Sequence, residues 1–238
     1  AAHFNDDTNR WDIETDQGDH VSARFFITGI GCLSAGQIPD IAGRDTFEGD
    51  SYHTSSWPHE GVDFAGKRVG VIGTGSSGVQ SIPVIAQQAE HLTVFQRTPQ
   101  FMIPARHHTV DSHYLDEVKT RYDEVWDPAR HSVAGFPYTP TDKSALEATA
   151  EERQAAYEAG WAEGGFRFTG ASFKDIGIDL RANATAAEFI RGKIRETVDA
   201  PETAEKLVPT DHPFGSKRTL IDTDYFETYN RDNVELVD

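Results

Sequence analysis

Three glycines, Gly73, Gly75 and Gly78, in the stretch VGVIGTGSSGVQ have the types and spacing that could do chemistry. A strand that runs into Gly-x-Gly-x-x-Gly and then a helix is a cradle for a pyrophosphate. Gly73 permits the tight turn, Gly75 lets backbone approach the ligand, and Gly78 lets helix pack on strand. N–H groups at the helix start face the anion, and the helix dipole favours its charge. Thr74 and Gln80 belong to the same expected contact segment, and Ser76 and Ser77 can cap the free amides or donate to phosphate oxygens. Pro83 reads as close enough to the helix start for its missing N–H to cost little.

The elements that must position this turn are legible around it. KRVGVIG reads as a buried strand, SSGVQSIPVIAQQAE carries apolar residues at helical spacing, and HLTVFQR reads as a second strand. The second strand ends Phe95-Gln96-Arg97-Thr98, with no acid. A carboxylate there would accept from an adenosine ribose, whereas a guanidinium grips a 2′-phosphate and Thr98 adds a hydroxyl. The strand end therefore favours NADP(H) over NAD(H), the alternative being that Arg97 is a solvated strand-end charge.

The rest of the chain bounds this reading. It has 238 residues, 37% of them hydrophobic and 26% charged, enough to bury a core. A net charge of −17 argues against nucleic acid and obliges an anionic ligand to find a local basic pocket. The longest apolar run, near Val69 to Ile72, is far too short to cross a bilayer, and neither leader nor anchor is visible, so the expected location is the cytoplasm. The single cysteine, Cys32, reads as a small packed residue. His107, His108, His113 and His131 do not form a metal-ligand pattern, and no metal is expected.

Residues 1–34 alternate as a β-meander, with Asp6-Asp7 and Gln17-Gly18 supplying turns, and RDNVELVD starts a strand at Val234. Both ends read as cuts through a neighbouring domain. Pro39, Gly43, Gly49 and Pro58 mark a linker. Between Arg106 and Pro209 the pattern is helical, and Tyr114, Leu115, Val118, Tyr122, Val125 and Trp126 read as one buried stripe.

The segment FEGDSYHTSSWP, Phe47 to Pro58, matches Phe-x-Gly-x-x-x-His-x-x-x-Trp-Pro throughout. It resembles the fingerprint of Baeyer–Villiger monooxygenases, of the phenylacetone, cyclohexanone and steroid type. The resemblance continues through residues 61–106 and 208–238 and so covers essentially the whole chain. It implies a Rossmann-like α/β fold with a parallel sheet, a helical insertion, and a short N-terminal β-meander from a partial FAD domain. The implied divisions are 1–45 (partial FAD-domain meander and linker), 46–64 (fingerprint linker), 65–231 (NADP-binding domain, insertion about 107–208) and 232–238 (start of the return to the FAD domain).

The implied activity uses FAD and NADPH to insert one oxygen atom of O₂ beside a ketone carbonyl. By resemblance, Gly73 to Gln80 and Arg97-Thr98 bind NADP(H), and Lys217 lies near its 2′-phosphate. Arg218 is the catalytic arginine that steadies a negatively charged intermediate near the flavin. A fixed guanidinium suits that task because it supplies no easily lost proton. His53 fits either a general acid or base or a hinge that hydrogen-bonds within the linker. Trp57 reads as a packing anchor and Pro58 as a stiffener.

Two departures qualify this. The chain has one Gly-x-Gly-x-x-Gly where the family also carries an N-terminal one for FAD. Gly29-Ile30-Gly31 stands where Ala-Thr-Gly or Ala-Ser-Gly is usual. The chain alone is therefore expected to bind NADP(H) without oxygenating, with the missing FAD-domain segments as its partner. The alternatives are a non-catalytic NADP-binding module and part of an N- or S-oxidising flavin monooxygenase.

Overall fold

Short strands separated by turn residues open the chain because alternation lets each bury one side. A computed structural model describes residues 1–31, 33, 35–132, 135–136 and 141–238. They divide into two compact units, Ala1–Gly61 and Val62–Asp238. In the first, β1 (Ala2–Asn5), β2 (Arg10–Glu14) and β3 (His20–Ala23) form the expected antiparallel meander. Phe4 and Phe26 each pack against Trp11, edge-on and tilted, with ring centroids 5.4 and 5.5 Å apart. Cys32 lies outside the described residues.

The second unit begins with β4 (Arg68–Ile72), α1 (Ser76–Gln88) and β5 (His91–Phe95), a helical crossover that pairs β4 and β5 in parallel. After β6 (Met102–Pro104) come α2 (Ser112–Thr120), α3 (Tyr122–His131), α4 (Ala150–Glu163), α5 (Arg167–Ala171), α6 (Leu180–Thr197) and α7 (Pro201–Leu207). The chain closes with β7 (Leu220–Asp222), α8 (Tyr225–Thr228) and β8 (Val234–Val237). Two parallel sheets result, in the orders β4-β5-β8 and β6-β7. The strand expected to start at Val234 is β8. Its pairing with β5 buries Leu236 beside Leu92 and Val94, which explains its place in this sheet.

Helix α1 puts Val79, Ile82, Ile85 and Ala86 into the core against the same sheet. Its last carbonyls are satisfied by Asn233, whose Nδ2 donates to Ala86 O at 3.0 Å and Ala89 O at 2.9 Å. The glycine turn ends at Gly75, so the helix starts earlier than Pro83 suggested. Pro83 sits in the helix interior, buried on the core face, where it removes one backbone bond.

The insertion is helical as expected, but its first apolar stripe is not buried. Tyr114 is 58% exposed and Trp126 52%, with Leu115 and Tyr122 also exposed. Helical spacing identifies an apolar face but not a neighbour to cover it. The chain also breaks at Arg121, the shared cap of α2 and α3. The buried part of the insertion is aromatic: Tyr157 of α4 meets Phe168, Phe173 and Phe189 at 5.4 to 5.6 Å. A capping box between Thr149 and Glu152 starts α4. Helix α6 starts at Leu180, ahead of the apolar run that revealed it, because Asp179 accepts from Arg181 N and caps it. Among the described residues no helix is long and apolar enough to cross a membrane.

Candidate functional site

The turn between β4 and α1 is built as its glycines require. Gly73 has φ +100° and its N–H donates to Phe95 O at 2.9 Å, which ties the turn to the end of β5. A Cβ at Gly78 would fall on the Gly73 carbonyl oxygen, so only glycine lets the helix sit this close. At Gly75 a Cβ would meet nothing, and the space beside it is open to a ligand. Gly75 is also the N-cap of α1, and the first bond of the helix runs from Val79 N to Gly75 O at 2.9 Å. The N–H groups of Ser76, Ser77 and Gly78 are left at the mouth of the turn, a ready anion site.

No side chain caps this helix, so Ser76 and Ser77 do not take the capping role offered as one alternative. Both are exposed, as is Gln80 one turn on. Thr74 is buried, and its Oγ1 donates to Thr98 O at 3.4 Å, joining the glycine turn to the segment after β5.

At the end of β5 a buried glutamine sets the direction of its neighbours. Gln96 N donates to Val237 O at 2.8 Å, while Nε2 donates to Lys206 O at 2.8 Å and to Asp238 Oδ1 at 2.9 Å. With Gln96 turned inward, Arg97 is turned out; it is exposed and has no hydrogen bond or ion pair among the described residues. Sequence reasoning missed both Gln96 and the carboxylate of Asp238, which arrives on the neighbouring strand. That carboxylate is held by the Gln96 carboxamide.

The parallel pairing of β6 and β7 brings the strand that follows the distant basic pair beside the strand that follows residues 97–100. Met102 is paired with Leu220, and Leu220 N donates to Phe101 O at 3.2 Å. Residues 97–100 and 217–218 thus lead into two paired strands, although some 120 positions separate them. Lys217 Nζ lies 3.8 Å from Asp211 Oδ2, and Arg218 is exposed without a partner among the described residues. Arg97, Lys217 and Arg218 are all exposed, on an acidic chain.

The loop before Lys217 is fastened by Asn183 of α6. Its Nδ2 donates to Ile176 O and Phe214 O, both at 2.8 Å, and its Oδ1 accepts from Phe214 N at 3.0 Å. At the other end of β7, burial pushes the Asp222 carboxyl up to about 6. Tyr225 N, 2.7 Å from Asp222 Oδ1, opposes that rise, Glu227 and Asp224 add to it, and Arg106 opposes it.

His53 lies in the first unit. It caps the short 3-10 turn Thr54–Ser56: its Nδ1 is 2.6 Å from Ser55 Oγ and accepts from Ser55 N at 3.2 Å. Trp57 lies against Tyr52 with ring centroids 5.9 Å apart. Among the described residues no group of three or more His, Cys, Asp or Glu is placed to hold a metal ion.

No family model matches the chain. A Baeyer–Villiger monooxygenase of Pseudooceanicola batsensis is 45% identical over 239 residues, covering all of this chain and 43% of the relative. Phenazine N-monooxygenase PhzNO1 of Lysobacter antibioticus is 44% identical over 238 residues, with the same coverage. A solved steroid monooxygenase in oxidised form, bound to NADP, superposes with a TM-score of 0.93 at 51% identity, over all of this chain and 45% of that one. The chain spans less than half the length of these proteins.

Proposed function

We propose that this chain, related along its whole length to Baeyer–Villiger monooxygenases, is the NADP(H)-holding segment of such an enzyme, with the partial FAD-domain piece at residues 1–45. The observation that carries the reading is the exposed, unpartnered guanidinium of Arg97 at the end of β5, beside an open glycine turn. The N–H groups of Ser76, Ser77 and Gly78 would hold the pyrophosphate, with the hydroxyls of Ser76 and Ser77 and the backbone around Thr74 and Gln80 lining it. Arg97, Thr98 and Lys217 would hold the 2′-phosphate, which bidentate and charge-assisted hydrogen bonds favour.

When bound, NADPH supplies a hydride and FAD a ring on which dioxygen is activated, for insertion of one oxygen atom beside a ketone carbonyl. The contribution of this chain is to orient the nicotinamide cofactor and to place Arg218 where negative charge develops. His53, tied to Ser55, serves as a hinge that keeps the linker in one conformation. FAD-domain segments beyond these residues are the required partner, so the 238-residue chain alone binds NADP(H) without oxygenating. N-oxygenation is the second reading, because the phenazine N-monooxygenase is almost as similar as the Baeyer–Villiger relative.

The test is a titration of the chain with NADPH and NADH, repeated on Arg97→Ala. The expected result is a preference for NADPH that falls by about tenfold or more in the variant, the loss of one strong charge-assisted contact. Equal affinity for both dinucleotides in the unmodified chain would end the proposal.

A further inference from the structure

We infer that Asn183 is a positioning residue for the 2′-phosphate site, setting the conformation of the loop that carries Lys217 and thereby the preference for NADPH over NADH. The inference rests on the reading of Lys217 given above. Asn183 is only 7% exposed, yet its carboxamide is occupied on both sides. Nδ2 donates to the carbonyls of Ile176 and Phe214 and Oδ1 accepts from the N–H of Phe214. This orientation is the only one that fits, because a flipped amide would turn its oxygen toward two carbonyl oxygens and its NH₂ toward an N–H.

Both backbone groups of Phe214 are therefore held by one side chain, three residues before Lys217. The Phe214 ring is fixed as well, packed against Phe101 at 5.6 Å and Phe168 at 5.8 Å. At the far end Leu220 N is bonded to Phe101 O, so residues 215–219 span two fixed points. Between them, Gly215 takes φ +79°, and Ser216 N and Oγ both bond Pro213 O, at 3.2 and 2.7 Å. A five-residue span with such ends has few conformations. Lys217 is exposed, and among the described residues its ammonium pairs only with Asp211. Losing the Asn183 clamp frees the loop, and the cost falls on the ligand group that Lys217 meets. The pyrophosphate turn, on α1, is untouched, so NADH binding is spared.

The experiment measures NADPH and NADH affinities of the full chain for Asn183→Leu, Gly215→Ala, Lys217→Ala and Arg97→Ala, with thermal melts as a check on folding. Asn183→Leu keeps the branched shape and removes all three hydrogen bonds. Gly215→Ala adds a Cβ in open space at a positive φ, disturbing the loop without touching the core. The expected result is a fall of about three- to tenfold in the NADPH-to-NADH affinity ratio for both, close to that of Lys217→Ala, with NADH affinity unchanged. If Asn183→Leu does not fold, Gly215→Ala decides. An unchanged ratio in a folded Asn183→Leu, or in Gly215→Ala when the former is unfolded, overturns the inference while Lys217→Ala and Arg97→Ala still lower it. If those two also leave the ratio unchanged, the reading of the site itself fails.

Discussion

The glycine turn makes two neighbouring substitutions separable. In Gly78→Ala the new Cβ falls on the Gly73 carbonyl oxygen and lies 3.2 Å from the Gly73 carbonyl carbon, both backbone atoms that cannot swing aside. Helix α1 must shift off β4, and because it carries Val79, Ile82 and Ile85 into the core, that shift disturbs packing. Overpacking of this kind costs about 1–3 kcal/mol. For a chain of this length such a loss lowers Tm by about 3–10 °C. Gly75→Ala adds its Cβ to open space at φ −78°, an ordinary backbone conformation, so its cost is confined to a poorer N-cap, about 0.5–1 kcal/mol. Its effect is on the ligand: the methyl group occupies the volume beside the three free N–H groups, and NADP⁺ affinity falls at least tenfold, about 1.4 kcal/mol. Melting curves of both variants with and without NADP⁺ give the comparison. The reasoning is refuted if Gly78→Ala melts with the unmodified chain, or if Gly75→Ala gains as much stability from saturating NADP⁺ as the unmodified chain does.

Two further outcomes follow from charges near the site. Asp222 titrates at about 6 when folded against 3.8 when unfolded, so the folded chain binds the extra proton between these values and stability falls as pH rises through that window. Asp222→Asn keeps an acceptor for Tyr225 N and removes this loss. It is expected to raise stability at pH 7 by up to about 3 kcal/mol, seen in urea denaturation at pH 4 and pH 7, with a gain below about 1 kcal/mol at pH 4. Asp211→Asn removes the carboxylate 3.8 Å from Lys217 and leaves the ammonium to the ligand. NADPH then binds about two- to threefold tighter in isothermal titration while NADH is unaffected, the scale of an exposed pair.

The strand, turn and helix around Gly73–Gly78 were legible because each glycine answers a local steric demand, although β4, read as buried, has only exposed and half-buried residues; the meander was legible because its turns lie inside it. What failed was whatever depends on distant chain. The stripe from Tyr114 to Trp126 has the right spacing for a helix face, but spacing carries no information about a covering neighbour. Gln96 and Asn183 look like ordinary polar residues, since their partners are 110 and 142 residues away for Gln96, and 31 for Phe214 with Asn183. Val234 announced a strand but not its pairing with β5, which forms only on folding. Lys217 and Arg218 could be singled out by resemblance alone. The strand that follows them pairs with β6 over three residues, too short a ladder to read from a pattern.

The most direct measurement is a crystal structure of this chain soaked with NADP⁺. The account predicts the adenosine 2′-phosphate within about 4 Å of the Arg97 guanidinium, as in an ordinary ion pair, and the pyrophosphate over the N–H groups of Ser76 to Gly78. A bound dinucleotide whose adenosine end lies away from Arg97, with that guanidinium still facing solvent, would contradict it.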